Sequence, residues 1–185
     1  MNVKGVFLCA LAVLLAGCAS PTVDIKNIST EQFAASVEVV DSEFSSAKAY
    51  KAAPITGKVA SGHGYTAQLI AVRSKKDDSI SHVLSTVWEY GGEDWILFKS
   101  ATLPGAVPLY FSVNKRDVSD CRSYGFCDYM EDITVILPAE SLISSPGGLR
   151  IQFGSSRGVA IMELPANYVQ GYLQGVSSAT GGKLM

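Results

Sequence analysis

The fold is decided by a stretch that reads Val-Pro-Leu-Tyr-Phe-Ser-Val-Asn from residue 107 to residue 114. Its apolar side chains fall at every second position, and more polar ones, Ser112 and Asn114 among them, fill the others. A period of two residues is typical of a β-strand that buries one face and exposes the other. Residues 149–153, Leu-Arg-Ile-Gln-Phe, repeat this pattern. We therefore predict two half-buried strands whose apolar positions face inward.

Further strands are predicted on both sides of these stretches. Five more segments are rich in β-branched and aromatic residues, and polar or glycine-containing turns separate several of them. These segments are residues 66–73, 83–90, 95–102, 133–137 and 159–164. Short strands parted by turns indicate a mainly β fold, an antiparallel β-sandwich or a barrel-like variant of it. We assign it to one domain, residues 37–185.

The C-terminal stretch breaks the period of two and predicts an amphipathic helix from residue 166 to about residue 177. Tyr168, Tyr172 and Val176 fall at helical spacing on one stripe, and Pro165 suits the first position of a helix. Gly171 lies on the other side of this helix, four residues before a second glycine. We interpret the two glycines as helix-weakening residues or as a place of close packing on a strand. A single helical turn is also predicted over residues 138–143.

The first residues have the layout of a secretory signal. Lys4 is the only charged residue before Cys18, and residues 6–16 are all apolar. This run is shorter than the roughly 20 residues that a permanent membrane helix needs. It ends in Leu-Ala-Gly-Cys at residues 15–18, which resembles the lipobox of bacterial lipoprotein precursors.

The resemblance implies that residues 1–17 are a signal peptide and that the thiol of Cys18 carries lipid. Two or more acyl chains, palmitate among them, would then hold the protein stably on a membrane. Residues 18–36 are the expected lipidated tether, with a short helix or strand near its end. Ala19 stands where inner-membrane retention uses an aspartate. The resemblance therefore implies an outer-membrane lipoprotein whose domain faces the periplasm or the cell surface.

Charge and cysteine content narrow the function further. The 15 basic and 17 acidic residues leave a formal net charge of −2, so neither nucleic acid nor an anionic lipid surface is an expected partner.

Cys121 and Cys127 remain once Cys9 and Cys18 are assigned to the signal and the lipid. In an oxidising compartment such a pair predicts a disulfide. A redox or metal pair is the alternative, but the spacing is not Cys-x-x-Cys and no histidine is nearby.

Motifs for catalysis or cofactors are few. The chain has no Gly-x-Ser-x-Gly elbow, phosphate-binding loop or dinucleotide fingerprint, so we expect no enzyme activity and no cofactor. His63, in a Ser-Gly-His-Gly turn, is either a turn residue or the centre of a hydrolase site, and His82 is expected to be structural. Acidic residues near the disulfide would suit calcium, although they match no known loop spacing, and a solvated loop is the alternative. No metal site is therefore predicted.

The remaining candidate site is the segment from residue 120 to residue 131. Its disulfide loop carries Tyr124 and Phe126, and Tyr129 follows directly. Aromatic side chains on a clamped loop lose little entropy on binding, so they suit a recognition surface. The alternative is that the rings fold back over the end of the sandwich.

Three functions follow from the sequence. The first is a non-enzymatic module that binds an envelope protein or helps to organise an envelope assembly. The second is a carrier or sensor of a small ligand such as a lipid, a glycan or a metal, which requires a pocket. The third is a hydrolase around His63.

Overall fold

The computed structural model describes residues 27–122 and 125–185, which form eleven strands and three helices. The strands are β1 (Glu38–Val40), β2 (Ala47–Lys51), β3 (Ile55–Lys58), β4 (Gly64–Ser74), β5 (Ile80–Gly92), β6 (Phe98–Leu103), β7 (Val107–Pro108), β8 (Tyr110–Cys121), β9 (Cys127–Leu137), β10 (Leu149–Ser155) and β11 (Gly158–Leu164). The helices are α1 (Thr30–Ala35), α2 (Ala139–Ile143) and α3 (Ala166–Thr180).

The strands form two antiparallel sheets. The larger sheet has seven strands in the order β1-β2-β4-β5-β9-β8, and β3 pairs with β4 beyond the end of β2. The smaller sheet has four strands in the order β11-β10-β6-β7. The prediction of a mainly β, antiparallel fold with a C-terminal helix is confirmed, and the arrangement of the two sheets is sandwich-like.

The alternating stretch that led to this prediction spans β7 and the start of β8. Leu109, Phe111 and Val113 pack against the core, as predicted. Val107 does not, because it lies in a two-residue strand at the edge of the smaller sheet and is 48% exposed. The inward assignment of Val107 was therefore wrong.

The predicted disulfide between Cys121 and Cys127 is confirmed. The two residues face each other at the end of the β8–β9 hairpin, with their Cα atoms 4.1 Å apart. In the chain-entropy model, closing so short a loop stabilises the fold by about 2 kcal/mol.

An aromatic cluster fills the space between the two sheets. Trp88 of β5 is fully buried, and its ring centroid lies 4.7 Å from that of Phe98 and 5.1 Å from that of Phe153. Phe98 and Phe153 belong to β6 and β10 of the smaller sheet. These contacts hold the inner faces of the two sheets together, because large aromatic side chains dominate core energetics.

Helix α3 contacts the inner side of the larger sheet through two buried tyrosines. The Tyr168 hydroxyl accepts a hydrogen bond from the backbone N–H of Leu69 at 3.0 Å, and Tyr172 lies 2.6 Å from His82. Beside this contact α3 meets α1, whose Phe33 packs edge-on against Tyr168. The packed domain therefore begins before residue 37, inside the segment predicted as a tether.

The two glycines of α3 let α1 approach closely. A Cβ atom on Gly171 would lie 2.6 Å from the Thr30 carbonyl oxygen, and one on Gly175 would lie 2.7 Å from the Ala34 carbonyl oxygen. The interpretation as close packing is thus correct, but the neighbour is a helix and not a strand. This spacing of small residues serves the same purpose in membrane helix pairs.

Glu131 joins the two sheets at one end of the sandwich. Its carboxylate is fully buried and accepts four hydrogen bonds, from the Tyr90 hydroxyl at 2.6 Å, the Leu97 N–H at 3.1 Å, the Phe98 N–H at 3.2 Å and Arg116 Nε at 2.9 Å. Leu97 has a φ of 57°, a conformation that is costly for a residue with a side chain. The carboxylate thus holds the entry into β6 in place.

His82 fastens the C-terminal tail to the sheet. The Leu184 carbonyl can only accept, so Nε2 of His82 carries the hydrogen and donates to it at 2.9 Å. Nδ1 then accepts from the Tyr172 hydroxyl. Burial lowers the pKa of His82, and the Leu184 hydrogen bond offsets only part of this shift.

We expect Gly171→Ala to lower the free energy of unfolding by about 1–3 kcal/mol, because its methyl group overpacks the α1–α3 contact. Helix propensity alone would give the opposite sign, since alanine is favoured over glycine by about 1 kcal/mol in a helix. Urea denaturation followed by circular dichroism measures the change. Ser178→Ala, an exposed site of the same helix, is the control. If Gly171→Ala were more stable than the wild type, α1 and α3 could move apart to accept the methyl group, and the predicted overpacking would be wrong.

We expect Glu131→Gln to lower the free energy of unfolding by about 3 kcal/mol, because the amide leaves Arg116 without its carboxylate and cannot accept at both atoms. This is the lower end of the range for broken buried pairs, since Arg116 is 38% exposed. The control is Asp132→Asn on the opposite face of β9, which changes an exposed contact with Asn114. Equal effects of the two substitutions would contradict the assigned role.

The third prediction concerns pH. Because burial lowers the pKa of His82 below its ordinary value of 6.5, the unfolded state binds protons first as the pH falls. Stability is therefore full above pH 6.5 and declines below it, by at most about 1.4 kcal/mol per pH unit. We expect a steeper loss between pH 7 and 5.5 in the wild type than in His82→Gln, which keeps His63. Parallel curves would refute this linkage.

Candidate functional site

A groove lies on one side of the sandwich, among the described residues. Its volume is about 910 Å³. We call it the strand-edge groove, because β3 (Ile55–Lys58) of the larger sheet forms one wall and β11 (Gly158–Leu164) of the smaller sheet forms the other. Gly147, Gly148, Arg150 and Pro165 complete its rim. Concave sites of 300–1,000 Å³ are typical of binding pockets.

Both walls are sheet edges, and each directs backbone groups outward. The Ala101 carbonyl of β6 accepts from the Leu109 N–H and therefore points away from β10. Because outward and inward backbone groups alternate along antiparallel strands, this contact fixes which residues of β10 and β11 bond to each other. It follows that Val159, Ile161 and Glu163 point their N–H and C=O groups away from β10. Just after β3, the Val59 N–H donates to the His63 carbonyl. By the same alternation, the backbone groups of Thr56 and Lys58 point away from β4.

Tyr65 forms the floor between the two walls. Its ring lies across Gly57, where a Cβ atom would come within 2.5 Å of Cζ. The Tyr65 hydroxyl then donates to the Glu163 carbonyl at 3.3 Å, which ties β11 to the larger sheet. Burial and the nearby Glu163 carboxylate raise the pKa of Tyr65. A glycine directly opposite the tyrosine is thus needed for this contact.

The groove carries one cation without a partner in the described part of the chain. Arg150 and Glu163 face each other across β10 and β11 and form an ion pair at 3.0 Å. Lys58 is exposed on the opposite wall and forms no ion pair within residues 27–122 and 125–185. Ile161, which is 42% exposed, lines the groove on the outer face of β11, and Val159 lies further along the same face with 64% exposure.

A second, smaller cleft of about 140 Å³ lies at the end of the sandwich and contains His63. The imidazole packs edge-on against Tyr90 with a centroid distance of 5.6 Å, and burial lowers the pKa of His63. Arg157 and Asp94, on the rim, form an ion pair at 3.2 Å. The cleft is below the usual size range of small-molecule sites.

The disulfide loop presents less aromatic surface than its sequence suggests. Phe126 is 42% exposed and its ring lies against Gly91 of β5. Tyr129 is buried, with ring centroids 5.7 Å from Tyr90 and 4.6 Å from Trp95. Tyr124 lies outside the described residues, as does Cys18. The predicted binding loop therefore contributes Phe126 to the described surface.

Several of the acidic residues near the disulfide have protein partners. Asp117 binds Lys115 at 2.6 Å, Asp128 lies 3.5 Å from Arg122, and the Glu131 carboxylate is consumed by its four donors. No group of three or more potential metal ligands occurs among residues 27–122 and 125–185. These carboxylates are engaged by protein donors, and Glu131 is buried and not solvated.

The groove residues were not singled out from the sequence, although two signals were present. Residues 159–162 are apolar at four successive positions, so both faces of β11 had to be apolar. A strand with one solvated face normally alternates. Gly57 in a β-branched context was the other signal, since glycine in a strand often marks a close approach.

Fold and groove together define the class of protein: a two-sheet, mainly β domain with a helical flank and an open strand edge. Comparisons with protein families, with curated proteins and with solved structures give no match for this chain. In the part of the chain that the structure describes, no helix combines the length and apolarity needed to cross a membrane.

Proposed function

We propose that this protein is a non-enzymatic lipoprotein of the bacterial envelope that binds another protein through the strand-edge groove. The observation that carries the proposal is the groove itself, a concavity of about 910 Å³ between two sheet edges. Ile161 exposes apolar surface in its wall, and Val159 adjoins Ile161 on the same face of β11. Exposed apolar residues at a concave site are typical of protein interaction surfaces.

The anchor completes the proposal. Cys18, lipidated and cleaved from residues 1–17, would hold the domain at the outer membrane, as the lipobox resemblance implies. A protein confined to a membrane surface meets neighbours at high effective concentration. A modest groove is then sufficient for stable association.

A carrier or sensor of a small ligand is the second candidate, and the end cleft around His63 is the observation that favours it. Trp88, Phe98 and Phe153 fill the space between the sheets, so a lipid would not fit there. Only a ligand of a few heavy atoms suits a cleft of about 140 Å³. The strand-edge groove is large enough for a small ligand, but its walls are two sheet edges with outward backbone groups, which suit an extended chain, so we prefer the protein-binding function.

The test places a photoreactive residue, p-benzoylphenylalanine, at Ile161 of the full-length protein in living cells. We expect one defined protein to be crosslinked and identified by mass spectrometry. Ile136, which is 40% exposed on the outer face of the larger sheet, is the matched control for Ile161 at 42%. The same substitution at Ile136 should capture little.

A further control tests the contribution of the lipid anchor independently of the groove. Cys18→Ala removes the proposed lipid site and should reduce the yield of the Ile161 crosslink without changing the identity of the partner. Identical products from Ile161 and Ile136, or none from Ile161, would refute binding in the groove. In that case ligand binding in the end cleft becomes the better candidate.

A further inference from the structure

We propose that the partner binds by strand addition: an extended segment of its chain pairs with the free edge of β11 and presents a carboxylate to Lys58. This inference rests on the proposed protein-binding function and specifies its mode. Strand addition obtains affinity from main-chain hydrogen bonds and specificity from alternate side chains.

The β11 edge is the one among the sheet edges described that lacks protection. β1 has three residues, β3 has four and carries Lys58, and β7 has two and contains Pro108. β8 has two register irregularities and several charged residues. Short length, proline, bulges and charge are the usual devices that prevent edge pairing. By contrast, β11 has seven residues in unbroken register, no proline and one charged side chain.

The edge is also rigid and complementary to a strand. Met162 and Leu164 are buried and fix β11 on the core, so little order has to be gained on binding. Val159 and Ile161 offer outward backbone groups, whereas the Glu163 carbonyl already accepts from Tyr65. An added strand would therefore pair at Val159 and Ile161, and β-branched residues in it would cover these two side chains.

Charge selects the partner chemistry. Arg150 and Glu163 neutralise each other, which leaves Lys58 as the groove's uncompensated charge in the described residues. An acidic residue in the partner segment would face it. A second copy of this chain, or another segment of the same chain, are the competing occupants.

The test uses capped ten-residue peptides in which valine alternates with threonine. One peptide carries a glutamate in place of one threonine, and its match carries a lysine there. Each is titrated against the full mature protein in detergent micelles, and amide exchange is read by mass spectrometry. We expect the glutamate peptide to slow exchange at Val159 and Ile161 and to bind about two- to fivefold more tightly than the lysine peptide.

Ile161→Pro removes one outward N–H without taking a hydrogen bond from the β10–β11 pair, and edge strands tolerate proline. We expect about tenfold weaker binding. Ile161→Val, which keeps the N–H, should bind like the wild type. If Ile161→Pro fails to fold, the peptide is N-methylated at alternate residues instead. One set of alternate positions should abolish binding and the other should not.

Binding that is indifferent to proline and to N-methylation, or that leaves β11 exchange unchanged, would overturn strand addition. Slow amide exchange at Val159 and Ile161 before any peptide is added would show that the edge is already occupied, which would overturn binding of a partner there. If this protection increased with protein concentration, the occupant would be a second copy. If it did not, the occupant would be another segment of this chain. If a Val159→Pro variant still captures the partner through the photoreactive residue at position 161, strand addition is wrong but the proposed function stands. Peptide protection without any envelope crosslink rejects only the proposed function.

Discussion

The buried carboxylate of Glu131 is the interaction on which the end of the sandwich depends. It receives donors from β5, from β8 and from the residues that enter β6, so one side chain connects both sheets. A buried charge is tolerated only when it is paired and hydrogen-bonded. Here the four donors meet that requirement, and the carboxylate in turn satisfies the N–H groups of Leu97 and Phe98. The end cleft forms around this fixed corner, since Tyr90 and Phe98 also line it.

A second constraint operates at the other end. The larger sheet has more inner surface than the four-stranded sheet covers, and α3 buries the remainder through Tyr168 and Tyr172. Helix α1 covers the adjoining flank of α3, where Phe33 packs against Tyr168. The glycines of α3 allow that contact, so residues before the predicted domain boundary become part of the core.

The sequence predicted those elements whose pattern is local. The period of two predicted the start of β8 and most of β10, richness in β-branched and aromatic residues predicted β4, β5 and the final part of β9, and the stripe of apolar residues predicted α3. β2 was missed because Ala-Lys-Ala-Tyr-Lys is poor in β-branched residues, and β3 because Gly57 interrupts it. Helix α1 was left within the tether, although Ser29 and Gln32 form a capping box.

Sites were harder to predict than strands, because they depend on which elements become neighbours. Glu131 lies two and four residues before the buried Ile133 and Val135, so its position in the strand marks it as inward-facing. Nothing local in the sequence shows that its hydrogen-bond donors come from three other segments. Tyr129 shares the same parity, and this explains why its ring is buried and not displayed beside Phe126. The candidate loop was chosen for its composition, whereas burial follows from strand parity.

The open edge of β11 is a consequence of this unequal architecture. A four-stranded sheet that faces a seven-stranded one cannot close against it on both sides. β8 approaches β6 on one side, where Arg116 donates to the Phe98 carbonyl at 3.2 Å. On the other side Tyr65 bridges the seam through a hydrogen bond to Glu163. The hydrogen-bonding capacity left at Val159 and Ile161 is thus set by the topology, and the absence of proline, bulge and charge at these positions leaves it available.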